Sequence, residues 1–353
     1  MAQNTKLDIE NLNVRTDLVV EKLESGELDK TKDGIKVDEY QSDEYKVTEV
    51  EVPKQGADKI RKKAGTYVTI DTSSVIKDDH EALLRLQKLI AKIIHRFLQK
   101  YHIPDDALGL VVGLGNNDVT PDALGPLVVS KVFVTNHLFN LHPESIRHED
   151  FRPLAAISPS VMGSTGIETY DIINSVVKTV QPQFLIVVDA LASKSIRRVN
   201  RTIQLSDAGI SPGSGVGNKR KEISMDTVKV PVISIGVPTV VDAVTITHDV
   251  IDLLVRHISY HMKNTRASSK IIPASSERFN IDEVEPLSDE LTSELLGKIG
   301  LMSVEEKRQL IREALTPQGL NMMVTSKDID TNIEDLSHII ARGINLAMHK
   351  GIE

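Results

Sequence analysis

The chain has 353 residues, a formal net charge of −8 and no cysteine. Its length suffices for one large domain or two ordinary ones. Its acidity argues against a general grip on nucleic-acid phosphates. The missing thiols exclude cysteine nucleophiles, disulfides and cysteine-based zinc sites. No apolar run approaches the roughly 20 residues that cross a bilayer, and residues 1–10 lack the basic and apolar regions of a signal peptide. The expectation is a soluble cytoplasmic protein, with no membrane partner and no direct nucleic-acid binding, limited to oxygen, nitrogen and carboxylate chemistry.

Taken in chain order, residues 1–63 are polar and acid-rich with weak periodicity. Strict alternation over 47–52 predicts an edge strand, and β-branched residues over 64–71 predict a second. Asp78 or Asp79 is placed to cap a long amphipathic helix. Its Leu83, Leu86, Ile90, Ile93, Ile94, Phe97 and Leu98 fall on one face. From residue 108 strands and helices alternate. Strands are expected at 109–114, 131–135, 184–189 and 230–235, with helices near 122–130, at 166–180 capped by Thr165, and at 239–262. Residues 184–189 are apolar until the final Asp189, as in a central strand covered on both faces. Beyond 263, Pro273, Ser275 and Ser276 mark a linker, followed by helical stretches at 286–299, 303–315 and 332–349. The pattern predicts an α/β fold: a three-layer, mostly parallel sheet with helices on both faces, an N-terminal β-rich segment and a C-terminal helical extension packed on the core. No internal repeat is present.

The most informative stretch is Val111-Val-Gly-Leu-Gly-Asn-Asn-Asp-Val-Thr-Pro-Asp122. It reads as a buried strand breaking into a glycine turn and re-entering a helix, with Thr120 as cap and Pro121 at the first helical position. Asp122 then sits where the helix dipole favours a negative charge. Gly113-Leu-Gly115 resembles a dinucleotide fingerprint, but Asp118 stands where a third glycine is needed and would repel a pyrophosphate. A second strand, 184–189, also ends in acid. The carboxyl ends of parallel strands open onto one rim, so Asp122 and Asp189 are a candidate pair. Two close carboxylates do not both ionise readily, which supplies an acid and a base in one site. Each Asp alone reads more readily as a cap or strand-end residue, the pair together equally well as a catalytic dyad, and a metal bridging the two acids is the competing enzymatic reading.

Other features are weaker. The loop Ser211-Pro-Gly-Ser-Gly-Val-Gly-Asn-Lys-Arg-Lys221 offers successive backbone N–H groups beside Lys219 and Arg220, an arrangement suited to an anion or oxyanion, or a solvated surface loop. It lacks the Gly-Lys-Ser/Thr of a P-loop, and Ser214 lacks the strand-to-helix context of a nucleophile elbow. The 11 histidines make no metal signature: His142 and His148 are six apart, and His257 and His261 have no zincin Glu. Near the N-terminus, Arg15-Thr-Asp-Leu-Val-Val-Glu21 offers an acid, Asp17, before the bulky Leu18, a candidate self-substrate if the protein is a peptidase.

Several long motifs carry a resemblance: Val14-Arg-Thr-Asp-Leu18, Ala64-Gly-Thr-Tyr-Val-Thr69, Thr120-Pro-Asp-Ala-Leu-Gly-Pro-Leu-Val-Val129 and Val161-Met-Gly-Ser-Thr-Gly-Ile-Glu-Thr169. Asp189-Ala-Leu-Ala192, Pro212-Gly-Ser-Gly-Val-Gly-Asn-Lys-Arg220, Ile235-Gly-Val-Pro-Thr-Val-Val-Asp-Ala243 and Leu315-Thr-Pro317 extend it. Over nearly its whole length the chain resembles the germination proteases of spore-forming bacteria, whose core is similar to that of hydrogenase-maturation proteases. The resemblance implies an endopeptidase that starts degradation of small acid-soluble spore proteins. It further implies a zymogen that trims itself between Asp17 and Leu18, so that 1–17 is a propeptide, 18–262 the catalytic core and 263–353 linker and helical extension. Implied too are an atypical aspartic mechanism carried by Asp122 and Asp189, a homotetramer, a spore-core location and no cofactor. For the loop containing Gly213, Gly215, Gly217, Lys219 and Arg220 the reading is an oxyanion or substrate-acid site. The family usually has Trp-Asn after the Gly-Asn of the first loop; Asn117-Asp118 stand here, adding a third carboxylate that is expected to tune the pair. The remaining non-enzymatic reading is a nucleotide-responsive or scaffold module of spores.

Overall fold

The computed structural model describes residues 16–24, 34–55, 57, 62–73, 79–141, 150–213, 220–263, 289–315 and 322–352. They divide into two compact units, one within residues 16–241 together with 325–352, the other within 242–324.

The larger unit is built on strands β1 (Lys36–Ser42), β2 (Tyr45–Val52), β3 (Gly65–Asp71), β4 (Gly109–Gly113), β5 (Leu154–Ile157), β6 (Phe184–Ser193), β7 (Thr202–Ser206) and β8 (Val232–Asp242). They lie side by side in the order β1-β2-β3-β7-β8-β6-β4-β5. From β8 to β5 the pairings are parallel, the part written by strand–helix alternation. From β8 through β7 to β1 every pairing is antiparallel, so the sheet is mixed. β6 is buried along nearly its whole length, as its apolar run predicts.

Both faces are covered. Alternate strand residues such as Val111, Ile186, Val188, Ile233 and Ile235 join the helices His80–Lys100 and Ile329–Met348 in one cluster. The intervening residues, Leu110, Val112, Leu185, Val187 and Val232, pack with Ile173 and Val177 of the helix Thr169–Val180. This is the period-two alternation of a strand buried on both sides. The expected apolar stripe of His80–Lys100 is buried from Leu86 to Leu98, with Leu83 partly so. Asp79 caps the helix by accepting from the Ala82 N–H. Each of Leu86, Ile90, Ile94 and Phe97 contributes about 1.5–3 kcal/mol of apolar burial. In the smaller unit the helix Ala243–Lys263 packs on Val304–Leu315, Asp289–Leu296 lies between them in sequence, and Met323–Val324 form a short strand.

Four local expectations are corrected. β2 is not the edge, because β1 pairs outside it. β1 carries Lys36, Asp38 and Glu39, charges that mask its strand pattern and suit a solvent-facing edge. Residues 131–135 form no strand. Lys131 ends a helix, and the Thr135 N–H is tied to the Leu154 carbonyl, while β5 takes the place beside β4. Thr165 does not cap a helix over 166–180. Gly166, at φ +70°, ends a single turn, Met162–Thr165, and Thr169–Val180 starts afresh. Thr120 is the first residue of a 3₁₀ turn, Thr120–Asp122, and the α-helix begins only at Leu124.

Candidate active site

That last correction frees Asp122. The helix Leu124–Lys131 has Ala123 at its cap position and no side-chain cap bond, so Asp122 is not spent as a cap. The Asn116 backbone N–H donates to the Asp122 backbone carbonyl at 3.0 Å, and this amide also favours the ionised carboxyl. The glycines of the turn make this geometry possible. A Cβ on Gly113 would lie 2.2 Å from the Gly125 carbonyl oxygen, and one on Gly125 would lie 2.2 Å from the Leu114 oxygen and 2.7 Å from the Val188 oxygen. Strand β4, the end of β6 and the helix start therefore approach closer than any side chain allows, which carries Asp122 to the rim beside β6. The Leu114 N–H closes the junction on the Val188 carbonyl at 2.8 Å.

Asp189 does not end its strand as expected: β6 runs on to Ser193, and Asp189 sits within it, 6% exposed. Its Oδ1 accepts from the Ala190 N–H at 3.0 Å. Burial pushes its pKa well above the carboxylate range, and the charges of Asp122 and Asp17 push it further, against Arg220. Burial also raises Asp122, to about 6, opposed by the Asn116 amide and by Arg220. Asp122 and Asp189 thus share one site, with Arg220 at the end of the glycine-rich loop acting on both. Asp118 is solvent-exposed, held locally through its N–H to the Asn116 side chain. The third carboxylate acting on Asp189 is Asp17, not Asp118.

Asp17 and Leu18 are brought to the same place. The Asp17 N–H donates to the Ala192 carbonyl at 3.1 Å, and the Ala192 N–H donates back to the Asp17 carboxylate at 3.0 Å. Leu18 is fully buried, packed with Val20, Leu191 and Ile210. Glu21, in the helix Val19–Glu24, locks the segment down by accepting from the Ser193 hydroxyl, the Lys194 N–H at 2.7 Å and the Thr16 hydroxyl. The Asp17 carbonyl accepts from Lys62 Nζ at 2.9 Å and from Gln204 Nε2 at 3.3 Å. A cavity of about 360 Å³ borders Asp17, Lys62, Gln204, Leu191 and Gly236.

Of the loop residues, Gly213 and Arg220 are described, whereas Gly215, Gly217 and Lys219 lie outside the described residues. Lys221 turns away to Asp171, at 2.9 Å. Among the described residues no group of three or more His, Asp or Glu side chains is arranged to hold a metal ion. Sequence reading missed Lys62, Gln204 and Glu21. The signal for Gln204 was a single large polar residue in an otherwise β-favouring Thr202-Ile-Gln-Leu-Ser206; for Lys62 there was none beyond its closeness to the Ala64-Gly65 motif.

Residues 12–353 match the family model described as germination protease. The chain belongs to the germination protease family. The germination protease of Geobacillus sp. (strain WCH70) is 46% identical over 363 residues, covering 99% of this chain and 97% of its own. That of Priestia megaterium is 46% identical over 359 residues, with the same coverage. Among solved structures, the nickel–iron hydrogenase maturation protease HycI of Thermococcus kodakarensis is similar over 42% of this chain and 80% of its own, at 13% identity and a TM-score of 0.27. Family membership makes the chain a protease, hence a hydrolase, of spore germination.

Proposed function

We propose that the protein is a self-processing endopeptidase of the aspartic type, in which Asp122 and Asp189 activate water against the Asp17–Leu18 peptide bond. One observation carries this reading: Asp17 is held to Ala192, three residues past Asp189, through its own N–H and its carboxylate, with the Asp17 charge felt at Asp189 itself. The roles within the pair follow from burial. Asp189, the more deeply buried acid with two carboxylates acting on it, keeps its proton. Asp122, near 6, is ionised at neutral pH and takes a proton from water. The water oxygen bonds to the Asp17 carbonyl carbon, Asp189 gives its proton to the Leu18 nitrogen, and the C–N bond breaks. The products are an Asp17 C-terminus and a Leu18 N-terminus.

The substrates proposed in trans are the small acid-soluble proteins of spores, the class that the family resemblance implies. A homotetramer working in the spore core belongs to the same reading. An acid followed by a bulky apolar residue is the recognition unit that Asp17 and buried Leu18 present. The test is mass spectrometry of the full chain: wild type releases residues 1–17, whereas Asp122→Asn and Asp189→Asn, folded as wild type, stay intact. Processing of either variant at the wild-type rate would refute the pair.

A further inference from the structure

We infer that Lys62 and Gln204 form a two-donor clamp that stabilises the oxyanion developing on the carbonyl of the cleaved bond, with Lys62 as the principal electrophile. The inference rests on the Asp17–Leu18 reading above and deepens it, since that reading assigns no group to the carbonyl oxygen.

The geometry is specific to this one oxygen. Lys62 Nζ and Gln204 Nε2 both donate to it, at 2.9 and 3.3 Å. Gln204 also accepts from the Val19 N–H at 2.9 Å, so its amide brackets the bond, holding the carbonyl on one side and the second residue beyond the cut on the other. The sheet explains how it reaches. Asp189, Gly236 and Gln204 are register partners across β6, β8 and β7, so they share one face in one lateral row. The middle position has no side chain, and a Cβ there would lie 2.4 Å from Leu191 Cδ1. Gly236 thus lets the Leu191 side chain lie over the sheet between the acid and the amide, where it also packs against Leu18.

Lys62 stands outside the sheet, its backbone N–H held by the Ala57 carbonyl. Burial pulls its pKa down, and Asp17 and Glu21 pull it back toward the charged form. A cation beside the carbonyl meets little charge in the ground state but a full oxyanion in the tetrahedral intermediate. It therefore binds the transition state more tightly than the substrate. When the C–N bond breaks the oxygen returns to a carboxyl, and Lys62 has donated a hydrogen bond throughout without losing its proton.

The experiment follows self-cleavage of the full chain as a first-order rate, together with hydrogen exchange of the segment 16–24. Wild type must first cleave between Asp17 and Leu18; if it does not, the bond assignment fails, and the clamp with it. Given cleavage, Lys62→Met is expected to slow it roughly one hundred- to one thousand-fold, as for loss of one oxyanion donor. The Asp17 and Val19 amides, bonded to Ala192 and Gln204, are expected to keep their protection. Lys62→Arg, which retains a cationic donor, recovers part of the rate. Cleavage by Lys62→Met within threefold of wild type overturns the clamp. So does a slowed variant in which segment protection is lost in parallel, because Lys62 then only seats the segment. Should Lys62→Met not fold, Lys62→Ala, which also removes the donor, is read by the same two measurements and the same criteria.

Discussion

Replacing Asp122 by asparagine should abolish cleavage and at the same time stabilise the protein, and the second effect can be sized. Burial lifts this carboxyl from 3.8 to about 6. A carboxyl whose folded pKa lies above its unfolded one contributes stability below the lower value and loses it as pH rises through the upper. Between about pH 4 and 6 the folded state therefore becomes steadily costlier to ionise. Above 6 the cost approaches 1.36 kcal/mol per pKa step over about two steps, roughly 3 kcal/mol. Partial exposure at the rim screens this to about 2 kcal/mol. Asparagine keeps the shape and cannot ionise, so Asp122→Asn should gain about 2 kcal/mol at neutral pH and nothing near pH 4. For the larger unit that is roughly 4 °C in Tm. Scanning calorimetry of both proteins at the two pH values measures it. A gain of equal size at both would show that the carboxyl is not strained by burial, and would remove the physical basis for treating Asp122 as a base tuned near neutrality.

Three further outcomes are expected. Self-cleavage requires Asp122 ionised and Asp189 protonated, so its rate should rise through about pH 6 and fall where Asp189 ionises at higher pH; a profile flat from roughly pH 4 to 9 would contradict the assignment. Gly125→Ala would set a methyl 2.2 Å from the Leu114 oxygen, so it should push the helix start off the sheet, cost about 1–3 kcal/mol and displace Asp122, seen as lower Tm with impaired cleavage; wild-type behaviour in both would disprove the close-approach argument. Exhaustive chelation should leave the rate of residue 1–17 release unchanged, and recovery of a chelator-lost rate on adding back one divalent metal would favour the metallopeptidase alternative.

Local pattern was a sound guide wherever one strand or helix buries its own face. The apolar run of β6 and the stripe of His80–Lys100 are visible in the residues alone. The edge strand β1 was hidden by its charges, and residues 131–135 misled because Phe133 and Val134, strand-like in type, are largely exposed at a helix exit. The site split along the same line. Asp122 and Asp189 were singled out because each follows an apolar, strand-like run, although β6 continues past Asp189 to Ser193, and Asp17-Leu18 because an acid before a bulky residue is a local signature. Lys62, Gln204 and Glu21 were not, since each acts on a residue remote in sequence; Gln204 lies 187 positions from Asp17.

The sequence by itself determined the α/β class and nominated the two acids and the bond they are proposed to cut, because these are written in neighbouring residues, their periods and the family motifs. Tertiary structure alone decided that Asp122 caps nothing, that the third carboxylate is Asp17 and not Asp118, and that two donors converge on the Asp17 carbonyl. The reason is physical. A strand's face follows from spacing along the chain, whereas burial and charge at a site depend on which distant segments the glycines at 113, 125 and 236 allow to touch.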